Sequence, residues 1–167
     1  SVNGSFEALA HFEATNTLRQ EIPLSEGWNW FSSNLEPMGG SNTGQISLSV
    51  LDKIASNVEN LKNQNTFSNW YEDNQWMGSL SSIKLGDMYK VKLTQADTIV
   101  YEGVPVDLTN AIYHIDIYQG WNYIGYLGQR SLDINTALSS ISFDSGDLIK
   151  SQNSFSVFAS ESLGWLG

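Results

Sequence analysis

Carboxylates and aromatic rings are the side chains here that could do chemistry. Glu72, Asp73, Glu102 and Asp107 are available as acids, and a glycosidase needs only two carboxylates at a suitable separation. Glu72-Asp73-Asn74 falls between Trp70 and Trp76, the composition of a sugar-handling loop. Adjacent acids on a loop are more often a solvated turn, so a glycoside hydrolase fragment is the remote reading. A binding surface is the stronger one. Trp70, Tyr71 and Trp76 with Asp73 form a candidate carbohydrate site, because aromatic faces stack on the C–H faces of sugar rings. The competing role for these rings is core packing. Asp144-Ser145-Gly146-Asp147 places Asp144 and Asp147 on a turn where calcium could find oxygen ligands, although the twelve-residue EF-hand pattern is missing and ordinary turn formation is the plainer account.

Other chemistry is poorly served. Only His11 and His114 exist, which leaves little for a metal centre or a general base. There is no Gly-x-Ser-x-Gly elbow, no phosphate-binding Gly-x-x-x-x-Gly-Lys loop and no dinucleotide fingerprint. The absence of cysteine removes thiol catalysis, disulfides and Cys-ligated zinc. We therefore expect no enzyme and no cofactor, with calcium as the one open option. The net charge of −10 repels phosphate backbones and anionic lipid, so nucleic acid and membrane insertion are not expected.

The elements that must position these residues recur along the chain. Gly27-Trp28-Asn29-Trp30-Phe31 returns as Gly120-Trp121-Asn122-Tyr123-Ile124. Leu61-Lys62-Asn63-Gln64-Asn65-Thr66-Phe67-Ser68 returns as Ile149-Lys150-Ser151-Gln152-Asn153-Ser154-Phe155-Ser156, and Trp76-Met77-Gly78 as Trp165-Leu166-Gly167. Segments that recur in the same order, at offsets differing by only a few residues, are the mark of repeat architecture. The recurring Trp28/Trp121 and Trp76/Trp165 read as core. The organisation that follows is a tail of a preceding unit (1–26), a complete unit (27–119) and the head of a second, truncated unit (120–167), the whole able to form one pseudo-symmetric domain.

Within a unit, strand-like alternation predicts strands near 28–34, 61–63, 66–72, 88–93, 98–102 and 112–117. In the fourth of these, Tyr89, Val91 and Leu93 share one face and Met88, Lys90 and Lys92 the other. Leu48, Leu51, Ile54 and Ala55 have helical spacing, with Ser47 or Ser49 as cap, and Leu132–Leu138 is the matching segment. The fold class expected is α+β, mostly β: a duplicated unit of short antiparallel strands with one short helix per unit.

The order Gly-Trp-Asn, short helix, Asp147-Leu148-Ile149-Lys150-Ser151-Gln152, aromatic strand, Gly164-Trp165-Leu166-Gly167 resembles the "GWN" repeat modules of secreted and surface multidomain proteins of Bacteroidetes and related bacteria. Trp76-Met77-Gly78-Ser79-Leu80 followed by Leu85-Gly86-Asp87-Met88-Tyr89 is similar to the family's Trp-x-Gly-Ser-Leu and Pro-Gly-x-Gly-Tyr stretches, with Leu85 and Met88 departing from it. The resemblance covers nearly the whole chain. It implies an extracellular or cell-surface, non-catalytic binding module beside other domains of a longer chain, with polysaccharide or a cell-surface protein as partner. The alternative is a structural spacer or adhesin repeat with protein partners.

Overall fold

The computed structural model describes residues 17–38, 43–71 and 75–167. His11, Asp73 and its neighbours Glu72 and Asn74 lie outside the described residues. The rest is mostly β, with antiparallel pairing throughout. The strands in chain order are β1 (Leu18–Leu24), β2 (Gly27–Phe31), β3 (Leu35–Pro37), β4 (Gln45–Ser47), β5 (Val58–Lys62), β6 (Phe67–Tyr71), β7 (Gln75–Gly78), β8 (Ser82–Lys84), β9 (Tyr89–Leu93), β10 (Asp97–Pro105), β11 (Leu148–Lys150), β12 (Phe155–Ser160) and β13 (Gly164–Leu166).

Alternation builds the principal sheet, ordered β2-β9-β5-β6-β7. Its inner face carries Phe31, Tyr89, Val91, Leu93, Val58 and Leu61, all buried, while Lys90 and Lys92 point outward, the split that the period of two dictates. A second sheet, β1-β10-β3, contributes Leu24, Leu35 and Ile99, and the β4–β8 ribbon contributes Ile46 and Ile83. Leu48, Leu51 and Ile54 close the core from the connection between β4 and β5. That connection is wound as two 3-10 turns, Leu48–Leu51 and Ala55–Asn57, the first capped by Ser47 accepting from the Ser49 N–H at 3.2 Å. The one α-helix among the described residues, α1 (Ile134–Ala137), is a single turn capped by Asp133. No described helix is long and apolar enough to cross a membrane.

The C-terminal part is separate in its packing. The ribbon β11-β12-β13 holds a small aromatic cluster in which Phe143, Phe158 and Trp165 meet at centroid distances of 4.8–5.5 Å. Residues 112–117 differ from the strand that their alternation suggests: Ala111–Tyr113 is a 3-10 turn and the rest runs unpaired, because no described strand offers them a ladder.

Burial has an electrostatic consequence. Desolvation pushes the Tyr89 phenol up to about 12, even though its oxygen accepts the Lys84 N–H at 2.6 Å, and it raises Tyr101 further. Tyr113 is raised to about 12 by burial and by the Glu36 carboxylate it donates to. A folded-state value above the unfolded 10 means that the neutral phenol is stabilised. This contribution is complete below about pH 10 and disappears as pH rises through 12. A spectrophotometric titration at alkaline pH should therefore show Tyr89, Tyr101 and Tyr113 ionising late, together with loss of the folded circular dichroism.

Candidate interaction surface

The Gly-Trp-Asn motif is a local clasp. Gly27 turns at φ +85°, a conformation suited to glycine, and Asn29 then reaches back. Its side-chain oxygen accepts the Ser25 N–H at 2.8 Å, and its amide donates to the carbonyls of Ser25 (2.6 Å) and Gly27 (3.0 Å). The same bonds surround Asn122: the Tyr118 N–H at 3.0 Å, the Tyr118 carbonyl at 2.7 Å and the Gly120 carbonyl at 3.0 Å, with Gly120 at φ +96°.

A second pair of bonds joins the two regions of the chain. Gln64, on the β5–β6 turn, donates to the Trp121 carbonyl (2.7 Å) and accepts the Tyr123 N–H (2.8 Å). Gln152, on the β11–β12 turn, donates to the Trp28 carbonyl (3.0 Å) and accepts the Trp30 N–H (2.8 Å). Each glutamine grips the main chain of the Gly-Trp-Asn segment on the far side. Between them Lys90 sits over the rings of both Trp30 (4.4 Å) and Tyr123 (4.7 Å), and Lys150 approaches Trp30 at 5.9 Å. Cations on aromatic faces contribute about 0.5–1 kcal/mol each at exposed sites.

The hairpins that carry the glutamines are matched in detail. Leu61 pairs with Ser68 in one, and Ile149 with Ser156 in the other. Trp70 meets Trp76 edge-on at 5.2 Å, and Phe158 meets Trp165 at 5.5 Å. A Cβ on Gly78 would lie 2.2 Å from the Phe67 carbonyl oxygen, and one on Gly167 2.5 Å from that of Phe155.

The aromatics singled out from sequence are divided between the two faces of the principal sheet. Trp70 and Trp76 oppose each other on the inner face, interplanar angle 66°, and Trp76 packs against the core while its indole N–H donates to Asp52 at 3.3 Å. Tyr71 is exposed on the outer face. The three do not form one coplanar row. On that outer face Tyr71, Phe67 and Met77 are exposed near the Asn60 and Asn69 amides, which meet at 2.7 Å. Core packing fits Trp165, which is buried, but must be corrected for Trp28 and Trp121: they are 41% and 62% exposed. Trp28 lies under the Lys62 ammonium, 4.6 Å away, and the role of these positions is to offer main chain rather than to fill the interior.

Asp144 and Asp147 form a turn in which the Asp147 carboxylate accepts the Asp144 N–H at 2.8 Å and the Asp147 N–H returns to the Asp144 carbonyl at 3.0 Å. Among the described residues no group of three or more His, Asp or Glu side chains gathers to hold a metal. His114 is exposed on the rim of a shallow cleft between the Asn63–Asn65 turn and Trp121–Ile124. The signal that could have found the glutamines was present: Gln64 and Gln152 occupy the same place in the repeated octets. Comparison with protein-family models, with curated proteins and with solved structures gives no match.

Proposed function

We propose that this chain is a non-catalytic module of an extracellular or surface protein, built from a duplicated unit, and that its task is to hold successive units of a longer assembly in fixed orientation. The observation that carries this reading is the reciprocal pair of glutamine clasps, in which each Gly-Trp-Asn segment is held by the other unit's hairpin. A joint of that kind serves a spacer, since stacked repeats depend on interfaces between neighbours. The resemblance to GWN modules supports the location and the accessory role. Four side-chain to main-chain bonds at a solvated joint contribute about 2 kcal/mol together. The double variant Gln64→Ala/Gln152→Ala should therefore stay folded but loosen: small-angle scattering should give a larger radius of gyration, and the Trp30 and Tyr123 amides should exchange faster. Unchanged scattering and exchange would refute the coupled-unit reading.

Carbohydrate binding is the second reading, favoured by the exposed Tyr71, Phe67 and Met77 beside paired amides on the outer sheet face. A panel of soluble polysaccharides, read by Trp fluorescence and gel retardation with and without calcium, separates the two. Saturable binding that is lost on Tyr71→Ala supports a binding module. Silence from folded protein leaves the spacer.

A further inference from the structure

In the first unit β9 lies between β2 and β5, with Val91 opposite both Asn29 and Leu61. The edge it uses on β2 follows from alternation. Gln152 takes the N–H of Trp30 and the carbonyl of Trp28, so Gly27, Asn29 and Phe31 present their main-chain groups to the opposite edge, where β9 runs. In the second unit Gln64 takes Trp121 and Tyr123 in the same way, and Tyr123 and Gly125 bond to Met88 and Gly86 on that edge too. The groups of Asn122 and Ile124 face the other edge, and no described main-chain group bonds to them. β11, the counterpart of β5, pairs only with β12 among the described residues. Among the described residues no strand covers the β11 side as β9 covers β5: Leu61 is wholly buried whereas its counterpart Ile149 is half-buried, and Leu148 is 49% exposed.

We propose that the gap between Gly120–Ile124 and β11 is a strand-receiving site, and that its occupant is a β9-type strand of a further repeat unit. Such a strand alternates apolar residues, turned toward Ile124 and Ile149, with lysines turned out beside Trp121 and Lys150. The first unit supplies the pattern of the occupant, Tyr89-Lys90-Val91-Lys92-Leu93, in which Lys90 already runs opposite Lys62, the counterpart of Lys150. Strand addition to an open edge takes its affinity from main-chain bonds and its selectivity from alternate side chains. The proposal rests on the duplicated-unit reading, which the glutamine variants test independently of any added strand.

The test uses the folded 167-residue chain and a synthetic peptide of its residues 86–95. Saturable one-to-one binding is expected, with slowed amide exchange at Asn122, Ile124 and β11. A peptide carrying Val91→Pro, which lacks the central N–H, should bind at least about tenfold more weakly. The proposal is overturned if the folded chain does not bind the peptide, or if the proline peptide binds equally well. It is also overturned if those amides are already protected in the free monomer, or if the chain dimerises through this edge.

Discussion

Replacing Gly78 with alanine is expected to destabilise the protein by about 3 kcal/mol or more, a fall in melting temperature of about 6–12 °C for a chain of this size. Gly78 pairs with Ser68 across β6 and β7, and an added Cβ would meet three atoms at once: the Phe67 carbonyl oxygen at 2.2 Å, the Ser68 Cα at 2.6 Å and the Ser68 Oγ at 2.6 Å. Two of these are main chain and cannot swing away. The third is the buried hydroxyl that donates to the Leu80 carbonyl at 2.6 Å, so displacing it strips a buried acceptor of its donor as well. Gly167 supplies the internal control. Its Cβ would meet the corresponding atoms of Phe155 and Ser156, at 2.5 Å and 2.9 Å, but around a more exposed strand that can move apart. Gly167→Ala should therefore cost much less. Thermal denaturation of the two variants checks both expectations, and equal losses would contradict the packing account.

The second large effect is a reversal. Glu36 is 7% exposed in β3, and one of its carboxylate oxygens accepts the Tyr113 hydroxyl while the other has no hydrogen-bond partner among the described residues. Tyr113→Phe removes that donor from a buried acid and should cost about 3 kcal/mol. Changing the acid as well, in Glu36→Leu/Tyr113→Phe, replaces a half-satisfied polar pair by apolar contact and should return most of the loss. Chemical denaturation of the two single variants and the double gives the coupling. If the double variant is no more stable than Tyr113→Phe alone, the hydrogen bond is not what holds this corner of the β1-β10-β3 sheet.

Sequence reasoning succeeded where burial is written as a period. Tyr89, Val91 and Leu93 alternate with Lys90 and Lys92, and β9 buries the first set and shows the second. The Ser47 cap was legible for the same local reason. The spacing of Leu48, Leu51 and Ile54 predicts a helix between β4 and β5, yet steps of three fit a 3-10 winding as well as an α one, and the chain forms 3-10 turns. The recurrence of Trp28 and Trp121 suggests core, yet both are exposed. Recurrence marks whatever a unit must keep, and here that is a main-chain docking edge, with the rings resting outside it. The glutamine clasps could not be read off either hairpin alone, because they join residues more than a hundred positions apart in one case and nearly sixty in the other. The division of Trp70 and Tyr71 between two faces was implicit in their adjacency on a strand.

The clasps have an evolutionary consequence. Among the described residues the Gln64 and Gln152 side chains bond to peptide groups, so the grip does not depend on which side chains the gripped segment bears. Trp30 and Tyr123 already differ at that place without altering the bonds. On the proposed duplicated-unit reading, the surface of one copy can therefore diversify, even toward a new ligand, while the joint is kept by the backbone and leaves the side chains free to drift.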